Sequence, residues 1–261
     1  MSLWSWPELA QAIDLEPEPG PDVTGVSIDS RSVKPGDLFV ALTGAVPPPF
    51  HVAAGAGRDG HEFVDAALAA GAAGALVHRG VTAGPSLRVG DTFEGLWALA
   101  RAARRRTDAR VVAMTGSSGK TTLRHLIDRL FDVVGDGHAS TGSLNNHWGV
   151  PLSMARMPST VQRAAFEVGM NHPGELAPLA RLVEPEIAVV LNVLPVHLAQ
   201  FADGLAGIRR EKLSIREGLQ SGGTLLVPEA VDEQGPGVIV YDGARSPVRL
   251  IDVGDDGLDV D

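Results

Sequence analysis

The 261-residue sequence predicts an α/β protein of two units. The first is a small N-terminal α/β unit; the second is a phosphate-loop-type unit with a mostly parallel sheet covered by helices on both faces. Three observations carry this expectation. Strand and helix patterns alternate along the chain. Several strand segments are apolar at nearly every position, as strands buried on both faces are. One of these, Val111–Met114, runs straight into a glycine turn and then an amphipathic helix.

In chain order, Pro7 suits a first helical position and opens a short helix over 7–13. Proline and acidic residues make a turn of 16–22. Val23–Ile28 alternates as a half-buried strand does. Lys34-Pro35-Gly36-Asp37 is a turn by composition, and Leu38–Leu42 is a second strand. Gly44–Gly60, rich in Pro and Gly, reads as a long loop. Phe63, Ala66, Ala67 and Ala70 give helical spacing over 61–70, and Ala75–His78 is a strand. Gly80–Pro85 divides the units, so residues 1–84 form the first and 85–261 the second.

The second unit starts with a helix over about 92–106, followed by the strand Val111–Met114. A helix over Leu123–Phe131 places Leu123, Leu126, Ile127 and Leu130 on one face. Strands over Ala164–Val168 and Ile187–Val193 flank a helix over Glu175–Val183. Residues 207–219 are helical, and Thr224–Val227 and Val238–Tyr241 are strands.

Composition bounds the function. With no cysteine, there is neither a disulfide framework nor a thiolate metal site, which agrees with a cytoplasmic setting. A net charge of −10 argues against a nucleic-acid partner. Arg101, Arg104, Arg105, Arg106 and Arg110 read as a solvated helix face. Asp252, Asp255, Asp256, Asp259 and Asp261 read as a solvated tail. The N-terminus lacks the pattern of a signal peptide. No apolar stretch approaches the ~20 residues that cross a bilayer, so no membrane insertion is expected. No pattern specifies an oligomeric state.

The strongest motif is Thr115-Gly116-Ser117-Ser118-Gly119-Lys120-Thr121-Thr122. Its glycines let backbone N–H groups turn toward phosphate oxygens, and the following helix adds its positive end. Lys120 reaches the β- and γ-phosphates of a nucleotide, and the Thr121 hydroxyl holds Mg²⁺. Met114 stands where the longer form of this motif has glycine, so the match is to the shorter Gly-x-x-Gly-Lys-Thr.

Other candidates are weaker alone. Glu167 ends a strand, where ligands bind in parallel sheets, and a carboxylate there suits Mg²⁺. It also reads as an edge acid. His197 likewise follows a strand, and a lone histidine beside apolar residues is more often a satisfied core residue. Asn145 and Asn146 lie in a loop that leads into a helix, where amides line a phosphate or simply cap a turn. Lys212 is an ordinary surface lysine on composition; a cationic amine cannot ligate a metal.

Together these segments resemble the Mur ligase family. The resemblance rests on the phosphate loop, Asn145-Asn146-x-x-Gly149-Val150-Pro151-Leu152, Glu167-x-Gly169-x-Asn171-His172-Pro173-Gly174-Glu175, Asn192-Val193-x-x-x-His197-Leu198, and Lys212. In the first unit it rests on Asp29-Ser30-Arg31, Pro35–Leu42 and Asp59–Phe63, and in all it runs from about residue 20 to 225. It is closest to the branch that adds D-alanyl-D-alanine.

The resemblance implies an ATP-dependent amide ligase of peptidoglycan precursor synthesis. ATP would phosphorylate the terminal carboxylate of UDP-N-acetylmuramoyl-tripeptide, and D-alanyl-D-alanine would displace the phosphate. It makes Lys120, Glu167, His197 and Lys212 the catalytic group, with Lys212 carbamylated. Thr121 and Glu167 would hold one Mg²⁺, and His197 a second. The loop Thr115–Thr122 with Asn145 and Asn146 would bind ATP. Ser30 and Arg31 would face the UDP group, and Asn171 the substrate.

The chain departs from the family in about ten extra residues between Leu42 and Asp59. It is also expected to lack the family's C-terminal domain. The alternatives are a catalytically impaired nucleotide- and UDP-sugar-binding module, or another phosphate-loop amide ligase.

Overall fold

The computed structural model describes residues 2–52, 58–80, 83–142 and 144–241, with two short pieces at 253–254 and 257–258. The five acidic tail residues named above, and part of the Gly44–Gly60 loop and the Gly80–Pro85 turn, lie outside the described residues.

Ser5 and Glu8 cap the first helix, α1 (Trp6–Ala12), reciprocally. The first sheet is fully parallel and runs β1 (Gly25–Ser27), β2 (Asp37–Val40), β3 (Gly74–Val77), β4 (Ser86–Arg88). Alternate residues point to opposite faces. Val26, Leu38, Val40, Leu76 and Leu87 pack with α1. Phe39, Ala41, Ala75 and Val77 pack with α2 (Val64–Ala69), which is entered through a 3₁₀ turn over Gly60–Phe63. The sheet therefore takes in β4, past the 84/85 division expected from the Gly80–Pro85 turn.

Asp91 caps α3 (Thr92–Arg105) by accepting from Phe93 N at 2.7 Å. This helix is apolar on two stripes. Leu96, Leu99 and Ala103 enter the core of the first sheet, while Phe93, Trp97 and Ala100 enter that of the second. Burial on both sides joins the two layers.

The second sheet is also parallel throughout. Its strands are β5 (Arg110–Thr115), β6 (Gly137–Ala139), β7 (Arg163–Glu167), β8 (Ile187–Val190), β9 (Thr224–Pro228) and β10 (Val238–Tyr241), in spatial order β10-β9-β8-β5-β7-β6. On one face Val111, Ala113, Phe166 and Val190 pack against α3, α5 (Gly149–Ala155), α6 (Leu176–Val183) and α7 (Gly204–Leu213). On the other, Met114, Ala165 and Val189 pack against α4 (Lys120–Val134). Helices cover both faces, as predicted.

Two expectations are corrected. Leu123 and Ile127 of α4 pack on the sheet with Phe131, but Leu126 and Leu130 are 60% and 46% exposed. The single apolar face is thus split, because a sheet contacts a narrower stripe than four leucine-like positions cover. The arginine cluster is also not uniformly solvated. Arg104 is buried and donates to the Val183 and Glu184 carbonyls at 3.2 Å each, tying α3 to the end of α6. Arg106 lies over the Trp4 ring at 3.3 Å and donates to Leu3 O and Met157 O. Carbonyls outside or at the ends of helices, which lack an intrahelical partner, draw these guanidinium groups inward, while Arg101, Arg105 and Arg110 stay exposed.

Candidate nucleotide and substrate site

The carboxyl ends of β5, β7 and β8 open onto one polar cavity of about 110 Å³. The sequence-predicted residues Gly116, Ser117, Lys120, Asn145, Asn146, Asn171, His197 and Lys212 all line it. They come from segments up to 96 positions apart (212 − 116), and a parallel sheet brings its strand ends to one side.

The phosphate loop turns where glycine is required. Gly119 has φ +80° at the start of α4, a conformation that side-chain-bearing residues adopt at a cost. A Cβ on Gly116 would lie 2.9 Å from Leu191 Cβ, so the loop approaches the next strand closely only without one. Ser117 N and Ser118 N donate to Asn192 Oδ1 at 2.9 and 3.0 Å, and Asn192 Nδ2 donates back to Ser118 O at 3.1 Å. This narrows the expected phosphate cradle. Two of the loop's N–H groups are held by Asn192, leaving the orphan N–H groups in the first turn of α4, at Lys120, Thr121 and Thr122. Lys120 Nζ donates to Gly116 O at 2.7 Å, folded over the loop. Burial pushes its amine down, partly opposed by the Glu167 charge.

Glu167 is 2% exposed. Its Oε2 accepts from Thr121 Oγ1 at 3.0 Å and its Oε1 from Asn145 Nδ2 at 2.7 Å. The edge-acid reading therefore fails: this carboxylate is inside and aimed at the phosphate loop. The donor set of hydroxyl and carboxylate is all oxygen, which is the set Mg²⁺ prefers. Asn145 positions Glu167 and also accepts Gly169 N at 2.7 Å. Asn146 caps α5, its Oδ1 taking Trp148 N and Gly149 N at 3.1 and 2.9 Å.

His197 is exposed, at φ +59° in the turn after β8, and lines the cavity. Lys212 is 3% exposed on α7. Burial, and then the Lys120 charge, push its amine down to about 8, against a smaller opposing effect of Glu211. Lys212 is thus not the surface residue its composition suggested. It has no carboxylate within ion-pair distance among the described residues.

Sequence reasoning missed several residues. Glu211 is buried, and its carboxylate accepts Gly174 N at 2.8 Å and Leu176 N at 2.9 Å, fixing the loop that carries Asn171. Glu175 Oε2 accepts Asn171 N and His172 N at 2.7 and 3.1 Å. Burial pushes the Glu175 carboxyl up, but these donors and His172 outweigh it and leave it below the ordinary range. Phe50 comes from the long loop of the first unit and packs on Trp97 and His147, with ring centroids 5.5 and 5.1 Å away. A buried phenylalanine beside histidine was the available signal, hidden among prolines.

A second, larger cavity of about 580 Å³ lies on the first unit, closed on one side by Trp148. Ser30 and Arg31 line it, with Arg58 and Phe63. Arg31 pairs with Asp29 at 2.7 Å, and Arg58 stands over the Phe63 ring at 4.5 Å. The walls are apolar and aromatic and the rim is cationic, which suits a flat base and an anion.

The family described as "Mur ligase middle domain" matches residues 114–257. UDP-N-acetylmuramoyl-tripeptide--D-alanyl-D-alanine ligase of Escherichia coli (strain K12) is 37% identical over 211 residues, 80% of this chain and 44% of that protein. A crystal structure of MurF from Acinetobacter baumannii superposes with a TM-score of 0.71 at 31% identity, over 87% of this chain and 49% of that one. MurF ligase from Thermotoga maritima in complex with ADP superposes with a TM-score of 0.63 at 27% identity, over 78% and 45%. The chain therefore spans about half the length of the relatives it matches.

Proposed function

As the chain belongs to the Mur ligase family, we propose that it carries the ATP- and UDP-sugar-binding machinery of a ligase that joins D-alanyl-D-alanine to UDP-N-acetylmuramoyl-tripeptide. Residues 1–84 together with β4 would hold the UDP-sugar, and the remainder to 261 would bind ATP. The names of the E. coli relative and of the ADP-bound Thermotoga structure support this reading.

In the proposed reaction the terminal carboxylate of the tripeptide attacks the γ-phosphorus of ATP. ADP leaves and an acyl phosphate remains. The amine of D-alanyl-D-alanine then attacks the acyl carbon, phosphate leaves, and the amine gives up a proton as the amide forms. Phosphoryl transfer of this kind needs positioning and charge neutralisation more than covalent help. The N–H groups of Lys120–Thr122 and the α4 dipole bind phosphate oxygens. Lys120 swings from Gly116 O to the transferred phosphoryl group. Thr121 and Glu167 hold Mg²⁺, with Asn145 keeping the carboxylate aimed. Bound there, Mg²⁺ neutralises charge on the β- and γ-phosphates. His197 assists at a second Mg²⁺, and Asn171 meets the peptide carboxylate. In the larger cavity, Ser30 and Arg31 face the UDP group.

Lys212 would carry a carbamate. Its neutral amine adds to CO₂ and releases a proton, which replaces a cation by an anion beside Lys120. The lowered amine, at about 8, supplies more of the neutral form than an ordinary lysine does near neutral pH.

The observation that carries the proposal is the 3.0 Å contact between Thr121 of the phosphate loop and the buried carboxylate of Glu167. The test is ADP release from ATP. Release that requires both UDP-N-acetylmuramoyl-tripeptide and D-alanyl-D-alanine is expected. Nucleotide binding with no such release would make the chain a binding module, and release with another acceptor would make it a different amide ligase.

A further inference from the structure

At the rim of the nucleotide cavity, sharing only Glu175 with its lining, stands a compact cluster of His51, His172 and Glu175. Its ligating atoms all lie within 4.8 Å of one another. His172 Nδ1 is 3.2 Å from Glu175 Oε1 and His51 Nδ1 is 3.6 Å from the same oxygen. The two imidazole rings lie 4.3 Å apart. We propose that these three side chains form a binding site for a borderline divalent transition cation of the Zn²⁺ type, distinct from the oxygen-lined Thr121–Glu167 position.

The spacing suits the ion. A tetrahedral Zn²⁺ with ligands at about 2.05 Å separates neighbouring ligand atoms by about 3.3 Å. The observed separations of 3.2 and 3.6 Å bracket that edge. The donor chemistry also selects. Two imidazoles and one carboxylate suit Zn²⁺ and its neighbours, whereas Mg²⁺ favours oxygen and keeps its waters.

The carboxylate is prepared for the role. Asn171 N and His172 N occupy Oε2 at 2.7 and 3.1 Å and orient the group, while Oε1 faces the imidazoles. Ligands oriented by such outer hydrogen bonds bind metal more tightly. The loop that carries Asn171–Glu175 is itself pinned by Glu211 at Gly174 and Leu176.

His51 is delivered from the other unit. Its neighbour Phe50 is 7% exposed among Phe93, Trp97 and His147, which fixes the chain where His51 emerges. Pro49 lies against Gly174, whose Cβ position would be 3.3 Å from Pro49 Cβ. The histidine side chains stay reachable from solvent, at 57% and 35% exposure. A bound ion would therefore staple the Gly44–Gly60 loop of the first unit to the loop after β7, at the rim of the cavity that Asn171 and Glu175 line.

The test is titration of the tag-free protein with Zn²⁺, and with Co²⁺ as a spectroscopic probe, in a large excess of Mg²⁺. One ion per chain is expected, with the visible absorption of a low-symmetry, nitrogen-ligated Co²⁺ and a raised melting temperature. His51→Ala, at an exposed position, and His172→Ala, at a half-buried one, should each weaken binding by at least about tenfold. His197→Ala should leave it unchanged, so the ion is told apart from one at the phosphate loop. Absence of binding, competition by Mg²⁺ on equal terms, retention of affinity in His51→Ala and His172→Ala, or loss in His197→Ala alone would each overturn the proposal. None of these readouts depends on nucleotide turnover.

Discussion

Replacing Lys212 by methionine should stabilise the protein. Lys212 is 3% exposed, and the Lys120 charge beside it outweighs the opposing charge of Glu211. Folding lowers the Lys212 pKa from 10.5 to about 8. At about 1.4 kcal/mol per tenfold change in proton affinity, that drop is worth about 3 kcal/mol against the folded state. The cost is fully present below about pH 8, where the amine is protonated both folded and unfolded. Between about 8 and 10.5 the folded protein holds the amine neutral while the unfolded chain still binds the proton, so the cost fades as pH rises. Methionine has similar length and no charge. Urea unfolding in CO₂-free buffer should therefore find Lys212→Met more stable by about 3 kcal/mol near pH 7, a rise in melting temperature on the order of 6–12 °C. The gap should close as pH approaches about 10. Admitting CO₂ should narrow it near neutrality, by converting the amine to an anion beside Lys120. A variant no more stable than the parent near neutral pH, or a gap that ignores pH, would refute the reasoning.

Bicarbonate should raise ADP release by the parent and do nothing for Lys212→Ala; a parent indifferent to bicarbonate would remove the carbamate from the site. Phe50→Ala should cost about 3–5 kcal/mol in urea unfolding, because a buried ring packed on Phe93, Trp97 and His147 is lost. A cost below about 1 kcal/mol would mean that the loop is not anchored there. Arg104→Met should cost about 2 kcal/mol, since it strands the Val183 carbonyl, leaves the Glu184 carbonyl to Gln220 Nε2 alone and leaves Glu186 without the guanidinium 3.5 Å away. A solvated arginine would instead give a change within about 0.5 kcal/mol.

The parallel sheet and the phosphate loop were legible because their physical demands are local. A doubly covered strand such as Val111–Met114 must be apolar throughout, and a chain that turns onto a helix N-terminus needs Gly119. Short edge strands impose no such demand. The three-residue strands β4 and β6 include Ser86, Arg88, Gly137 and His138, so they carry no run or alternation long enough to read. The gathering of Asn145, Asn171, His197 and Lys212 around Lys120 followed from a resemblance in motif order rather than from any local pattern. Asn192 was visible in that order, but its hold on Ser117 and Ser118 depends on the β5–β8 register. Glu211 stood unnoticed beside Lys212 because an acid on a helix is usually solvated. Only the fold shows that it takes the N–H groups of Gly174 and Leu176. Leu126 and Leu130 misled for the reverse reason: helical spacing places them near Leu123 and Ile127, but the sheet does not reach them.

The central claim is that a nucleotide's phosphates lie on the first turn of α4 under Lys120. Calorimetric titration of Mg·ATP into the parent and into Lys120→Ala, whose fold should be intact by circular dichroism, tests it most directly. One ATP per chain in the parent, with affinity lower by about a hundredfold or more in the variant, is the predicted result, since a charge-assisted contact in a partly buried site is lost. Equal affinity in a folded Lys120→Ala protein would contradict it.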